Sequence, residues 1–294
     1  MKNHVFFGSS ASAAAVPAAS AWVSHDQCAP VGEHAALVSA MEPVMKSRNG
    51  AWVGWPGETG VSPEPFHTKD GLELHPMLLD SSEVRGYYEG FSNGTLWPIY
   101  HDAITDPEFH RSWWACYRTV NERFAQKVAQ IAARGATVWI HDYQLQLVPA
   151  LLREMRPDVR IGWFNHIPFP PVELFAQLPW RRGILRGLLG ADLLGFQKAS
   201  DASNFVRACR VLLGATSKGE VITWQGSSDG MLGAGARTVR ACAAPISIDF
   251  ADFEDLAMSQ HVLDRAAELR AQLGSPRTVM LAVDRLDYTK GIRH

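Results

Sequence analysis

Thr137-Val138-Trp139-Ile140-His141-Asp142 and, further on, Val159-Arg160-Ile161-Gly162-Trp163-Phe164-Asn165-His166 decide the fold. Each is a short run rich in β-branched and aromatic residues that ends abruptly in polar ones, the pattern of a buried strand. Between them Leu145, Val148, Leu152 and Met155 recur at helical spacing, and Pro149 is tolerable because it lies near the first turn. Strand, helix, strand at this spacing implies a right-handed crossover and a parallel sheet covered on both faces. Ligands bind beyond the carboxyl ends of such strands. His141-Asp142 and Asn165-His166 fall there, so these polar pairs mark a site.

The alternation extends both ways and predicts an α/β, doubly wound parallel sheet. Downstream, helices are expected at Val172–Leu178, Arg181–Leu189 and Ala199–Leu213, with a strand at Asp192–Phe196. Val221–Trp224 and Arg237–Arg240 read as two strands joined by the Gly226–Gly235 loop. Upstream, Ala51–Trp55 reads as a strand closed by Pro56-Gly57, and a long helix is expected from Pro107 to Arg134, stopped by Gly135. Val5-Phe6-Phe7 reads as a first strand; the Ala-rich stretch to Ala21 loosely imitates a secretory signal, but Gly8-Ser9-Ser10 and Ser12 interrupt its apolar region.

Pro245–Asp249 breaks the pattern and reads as a hinge, dividing the chain into residues 1–248 and 249–294. The second part is expected to hold a helix at Phe253–Leu273 and a strand at Thr278–Val283. One helix and one strand bury no core of their own, so this part is expected to be the incomplete opening of a second domain.

Composition narrows the function. The 294 residues are 47% hydrophobic and 20% charged, with a formal net charge of -2. That balance offers nothing to nucleic acid, and no apolar run is long enough to span a membrane. The four cysteines form no C-x-x-C pair, which suits a reducing, cytoplasmic setting.

Gly226-Ser227-Ser228-Asp229-Gly230 has the spacing of a hydrolase nucleophile elbow, but that motif needs a helix behind it, and the glycines after Met231 predict a hairpin loop. No dinucleotide or P-loop glycine motif follows a predicted strand. The spacing of His141, Asp142 and His166 matches no common zinc pattern; a carboxylate at a strand tip is better suited to gripping sugar hydroxyls. Trp97, placed before Pro98, is expected to leave the helix and expose its ring for stacking on a sugar face. Arg285 and Lys290, with Gly291, follow a predicted strand and suit a diphosphate.

With these segments assembled, the chain resembles the trehalose-6-phosphate synthase family. The resemblance runs from Ala51 to Gly291 and rests on Gly54–Gly60 (GWPGETG), Tyr87–Pro98 (YYEGFSNGTLWP), His141–Pro149 (HDYQLQLVP), His166–Pro171 (HIPFPP), Leu188–Phe196 (LLGADLLGF) and Val283–Gly291 (VDRLDYTKG). It implies a retaining glycosyltransferase with two Rossmann-like domains, moving glucose from UDP-glucose to glucose-6-phosphate without a metal or other cofactor. It also implies acceptor-binding roles for Trp55, Tyr88, Trp97 and Asp142, and donor-binding roles for His166, Arg285 and Lys290. Asp142 and His166 stand at the reacting centre, and Trp97 and Ile167 at anomer selection. The partners expected are these two small molecules; a homo-oligomer, or association with a full-length synthase, stays open.

Three departures accompany the resemblance. Gly8-Ser9-Ser10 stands where the family has a phosphate-gripping Arg after its first strand. Ala35-Ala36 stands where it has a Gly-Gly pair, and Asn165 where an apolar residue is usual. With these departures, and above all with a second domain only begun, little or no synthase turnover is expected of the isolated chain; a non-catalytic sugar-phosphate-binding or regulatory fragment of a synthase is the alternative.

Overall fold

The computed structural model describes residues 2–8, 50–57, 59, 64–67, 73–226, 235–284 and 287–291. Among them the chain divides into two compact units, Met1–Pro245 and Ile246–His294.

The first unit is built on a mostly parallel sheet. Its strands are β1 (Lys2–Gly8), β2 (Gly50–Gly54), β3 (Phe66–His67), β4 (Glu73–Pro76), β5 (Ala132–His141), β6 (Arg160–Asn165), β7 (Leu193–Phe196), β8 (Thr216–Lys218), β9 (Val221–Trp224) and β10 (Arg237–Ala243). Their order is β3-β4-β2-β1-β5-β6-β7-β10-β9-β8. From β4 to β10 every neighbouring pair is parallel; β3, β9 and β8 add antiparallel edges. Strand order runs outward in both directions from β1. The boundary between β1 and β5 is thus the topological switch point, where doubly wound sheets open a crevice.

The main helices are α1 (Arg111–Ile131), α2 (Val148–Met155), α3 (Val172–Phe175), α4 (Arg181–Leu188) and α5 (Ala199–Leu213). Helix α1 buries Tyr117, Val120, Phe124 and Val128, the stripe that its three- and four-residue spacing predicts. It ends earlier than expected. Ala132 already pairs with Lys2 of β1, and the register slips between Lys2 and His4, so Gly135, at φ +69°, sits in a bulge inside β5 rather than capping the helix. Arg156 closes this corner. Its guanidinium donates to the carbonyls of Ala129, Ala132 and Ala133, and grips both oxygens of Asp158, whose Oδ2 accepts from the Gly135 N–H.

Before α1, Val84–Leu96 winds as a π-helix and runs without a break into an α-helical turn, Trp97–Tyr100. Gly90 lets α1 approach, because a Cβ there would meet the Trp113 ring at 2.6 Å and the Arg85 carbonyl at 2.8 Å. This segment overturns the reading of Trp97. The wider register pairs the Trp97 N–H with the Ser92 carbonyl. The carbonyl of Gly94, which an α-helix would have paired with residue 98, instead accepts from the Glu108 N–H at 3.0 Å. The Gly94 carbonyl is thus satisfied although Pro98 has no donor to offer it.

Val221–Trp224 and Arg237–Ala243 pair antiparallel as predicted. A strand, not a helix, follows the glycine-rich loop, although Ser227–Ala234 itself lies outside the described residues.

The second unit holds α6 (Phe250–Met258), α7 (Gln260–Gln272) and a 3-10 turn, Tyr288–Lys290. The single helix expected at Phe253–Leu273 is two. Ser259 takes extended dihedrals, and its hydroxyl donates to the Leu256 carbonyl, the local competition that makes serine a boundary residue. Thr278–Val283 forms no strand. No described strand of this unit lies beside it to satisfy its backbone groups, and Met280, Leu281 and Val283 are 91%, 86% and 77% exposed.

No described helix is long and apolar enough to cross a membrane.

Candidate functional site

The tips of the parallel strands carry the site. Gly8 of β1 lies opposite Gly54 of β2, Phe7 opposite Ile140 of β5, and His141 of β5 opposite Phe164 of β6. Trp55, Asp142 and His166 are the first residues past β2, β5 and β6, on one edge of the sheet. Asp142 stands beside the switch point.

Asp142 is held on several sides. Its N–H donates to the Phe164 carbonyl at 2.7 Å, and its carbonyl accepts from Trp163 Nε1 at 3.1 Å. Oδ1 accepts the N–H groups of Tyr143 at 3.0 Å and His166 at 3.3 Å. Among the described residues no donor reaches Oδ2, which leaves that oxygen for a ligand. Burial pushes the carboxyl up to about 7, against the pull of the two N–H bonds. The backbone is also strained: φ 74° and ψ 171° belong to a region that glycine alone adopts freely.

His141 and His166 form a pair, Nδ1 to Nε2, at 3.1 Å. His141 is buried, and desolvation, then the neighbouring ring, hold its pKa well below the ordinary value. His166 is half-buried and lowered to about 4 by desolvation. Both rings are neutral at pH 7. Among the described residues no three His, Cys, Asp or Glu side chains are placed to share a metal ion.

The turn after Asp142 is supported from behind by residues that look, in sequence, like ordinary helix and core positions. Tyr117 of α1 donates its hydroxyl to the Tyr143 carbonyl and accepts the Gln146 N–H. Asn121 donates to the Gln144 carbonyl and accepts the Leu147 N–H, and Tyr100 donates to Gln146 Oε1. These fully buried groups satisfy a backbone that could not otherwise sit in the core. The signal was present at Asn121, a polar residue on the apolar stripe of α1.

The other expected residues divide. Trp55 and Tyr88 meet edge to face, with ring centroids 5.3 Å apart. Trp97 is 6% exposed, so the expected open stacking surface is corrected: His101 lies 4.0 Å and Tyr143 5.7 Å from its ring. Tyr143 in turn donates its hydroxyl to Asn93 of the π-helix, at 2.9 Å. Ile167 is buried in the core, its carbonyl accepting from Asn165 Nδ2 at 2.7 Å. Lys290 lies in the second unit, with Nζ 3.6 Å from Asp284 Oδ1. Arg285, Ala35 and Ala36 lie outside the described residues.

Comparison with known proteins agrees with this fold. The chain is similar to the trehalose-6-phosphate synthase of Mycolicibacterium smegmatis, 55% identical over 256 residues, covering 87% of this chain and 50% of that relative. Among solved structures it is similar to the trehalose-6-phosphate synthase OtsA, at 28% identity and a TM-score of 0.80, covering 98% of this chain and 58% of the other. An α,α-trehalose-phosphate synthase (UDP-forming) from Burkholderia xenovorans, solved in complex with glucose-6-phosphate, gives 28% identity and a TM-score of 0.79, covering 98% and 59%. The chain spans about half the length of the curated relatives it matches. Residues 13–294 match the model of glycosyltransferase family 20, and with this fold and these strand tips the chain belongs to that family.

Proposed function

We propose that the first unit binds the sugar-phosphate acceptor of a trehalose-6-phosphate synthase reaction, in which glucose passes from UDP-glucose to glucose-6-phosphate. The observation that carries this reading is Asp142: one carboxylate oxygen fixed by two N–H groups, the other open, at the switch point of the sheet. A carboxylate so fixed accepts from sugar hydroxyls with little loss of freedom. Trp55 and Tyr88 then lie toward the acceptor phosphate, Trp97 backs the sugar through Tyr143, and Ile167 shapes anomer selection. His166 faces the donor glucose.

Arg285 and Lys290 are the cations for the diphosphate. Charge building on the leaving group is what they stabilise, and the departing oxygen takes the acceptor proton on the same face. The reading calls on no protein nucleophile and no metal.

A second reading, sugar-phosphate binding without turnover, is favoured by Gly8, which ends β1 where the family has its phosphate-gripping Arg close by. Calorimetry with glucose-6-phosphate and a coupled assay for UDP release separate the two. Binding that Asp142→Ala weakens at least tenfold supports the site; unchanged affinity in a folded variant removes it. UDP release above background selects turnover, and its absence selects binding alone.

A further inference from the structure

We propose that His141 is a positioning residue that fixes the tautomer of His166, so that the site presents an N–H donor beside the Asp142 carboxylate. The inference rests on the proposed sugar-binding function for its purpose, but not for its geometry.

The two rings share one hydrogen bond, between Nδ1 of His141 and Nε2 of His166. One neutral ring donates and the other accepts, which allows two arrangements. If His166 donates, His141 carries its proton on Nε2. That atom is buried and among the described residues has no partner, so the arrangement strands an N–H in the core. If His141 donates from Nδ1, its Nε2 holds only a lone pair, and a stranded acceptor is the lesser defect. The second arrangement is the one that the unpartnered Nε2 of His141 favours.

The consequence falls on His166. With Nε2 accepting, its proton sits on Nδ1, although free imidazole side chains favour the other nitrogen. Residue 166 is half-buried, and among the described residues no hydrogen bond engages its Nδ1. The backbone N–H of His166 donates to Asp142 Oδ1 at 3.3 Å, so the ring and the carboxylate are carried by residues joined through one hydrogen bond. A ring donor and a carboxylate acceptor suit hydroxyls, which both donate and accept. Two like groups would leave each hydroxyl half satisfied.

The test is nitrogen NMR on the 294-residue chain labelled with 15N-histidine, with His166 assigned by its disappearance in His166→Gln. The expected spectrum at pH 7.5 has His166 protonated on Nδ1 and bare on Nε2. His141→Leu is expected to shift His166 toward the Nε2–H form and to weaken sugar-ligand binding about tenfold, the loss of one well-placed hydrogen bond. His141→Asn, whose amide N–H can stand in for Nδ1–H, is expected to restore both. An Nε2–H form of His166 in the unsubstituted chain overturns the proposal, as does an unchanged tautomer in folded His141→Leu. If that variant fails to fold, the unsubstituted spectrum decides alone. Titrating glucose-6-phosphate and UDP-glucose into the same sample separates the two readings. Absent binding with the expected tautomer removes the function and keeps the His141 assignment, whereas binding with the other tautomer does the reverse.

Discussion

The hydroxyl of Tyr117, in the middle of α1, donates to the carbonyl of Tyr143 at 2.7 Å, across 26 residues of sequence. The same oxygen accepts the Gln146 N–H at 3.1 Å. Tyr117→Phe keeps the ring and its packing against Phe91 but leaves a buried carbonyl and a buried N–H without this partner. A loss of about 1–3 kcal/mol is expected in urea unfolding, with weaker acceptor binding because the turn bearing Asp142 loosens. Wild-type stability in the variant would show that the bond carries nothing.

Asp142 is expected to weaken the fold that holds it. Its pKa is about 7 in the folded protein against an ordinary 3.8, so the folded state holds a proton that the unfolded state has lost between those values. Stability from this group therefore falls as pH rises from about 4 to 7, then stays level. Asp142→Asn keeps an oxygen for Tyr143 and His166 without the charge. It should be the more stable protein at pH 8, by up to ~4 kcal/mol, with the gap closing as pH falls toward 4. Parallel pH curves for the two proteins would contradict this.

The histidine pair works in the other direction. His166 is lowered to about 4, and His141 lies well below the ordinary value, so unfolding below pH 6.5 takes up protons. The stability they contribute is present above 6.5 and is lost as pH falls toward 4. His166→Gln should flatten that slope by about 1.4 kcal/mol per pH unit. Urea midpoints measured between pH 4.5 and 6.5 give the slope directly.

Arg156 joins the end of α1, the bulge of β5 and Asp158 through five guanidinium hydrogen bonds. Its grip holds the Asp158 carboxyl well below the usual carboxylate range. Arg156→Ala is expected to cost about 2–3 kcal/mol, and Arg156→Lys to recover little, since a point charge cannot reproduce the fork. Full recovery by lysine would reduce the role to charge alone.

Much of this was legible in the residues. The strand ending in His141-Asp142 and the one ending in Asn165-His166 announce themselves, because buried parallel strands are apolar to the tip and polar beyond it. Their adjacency followed from crossover geometry. Trp97 misled because the residue before a proline disfavours helical dihedrals, yet Trp97 keeps them at φ -54° and ψ -49°, and Glu108 takes up the Gly94 carbonyl that Pro98 cannot serve. The role of Tyr117 is not legible in sequence, where a buried hydroxyl and a buried ring look alike. Thr278–Val283 has strand composition, yet a strand is made by its neighbour as much as by its own residues.

The place of β1 has a consequence for assembly. It bonds β2 on one side and β5 on the other, so it alone joins the two halves of the sheet. Residues 2–8 close the seam between β2 and β5. Clipping them off would leave β2 and β5 as two raw, facing edges, open to the same strand from another molecule.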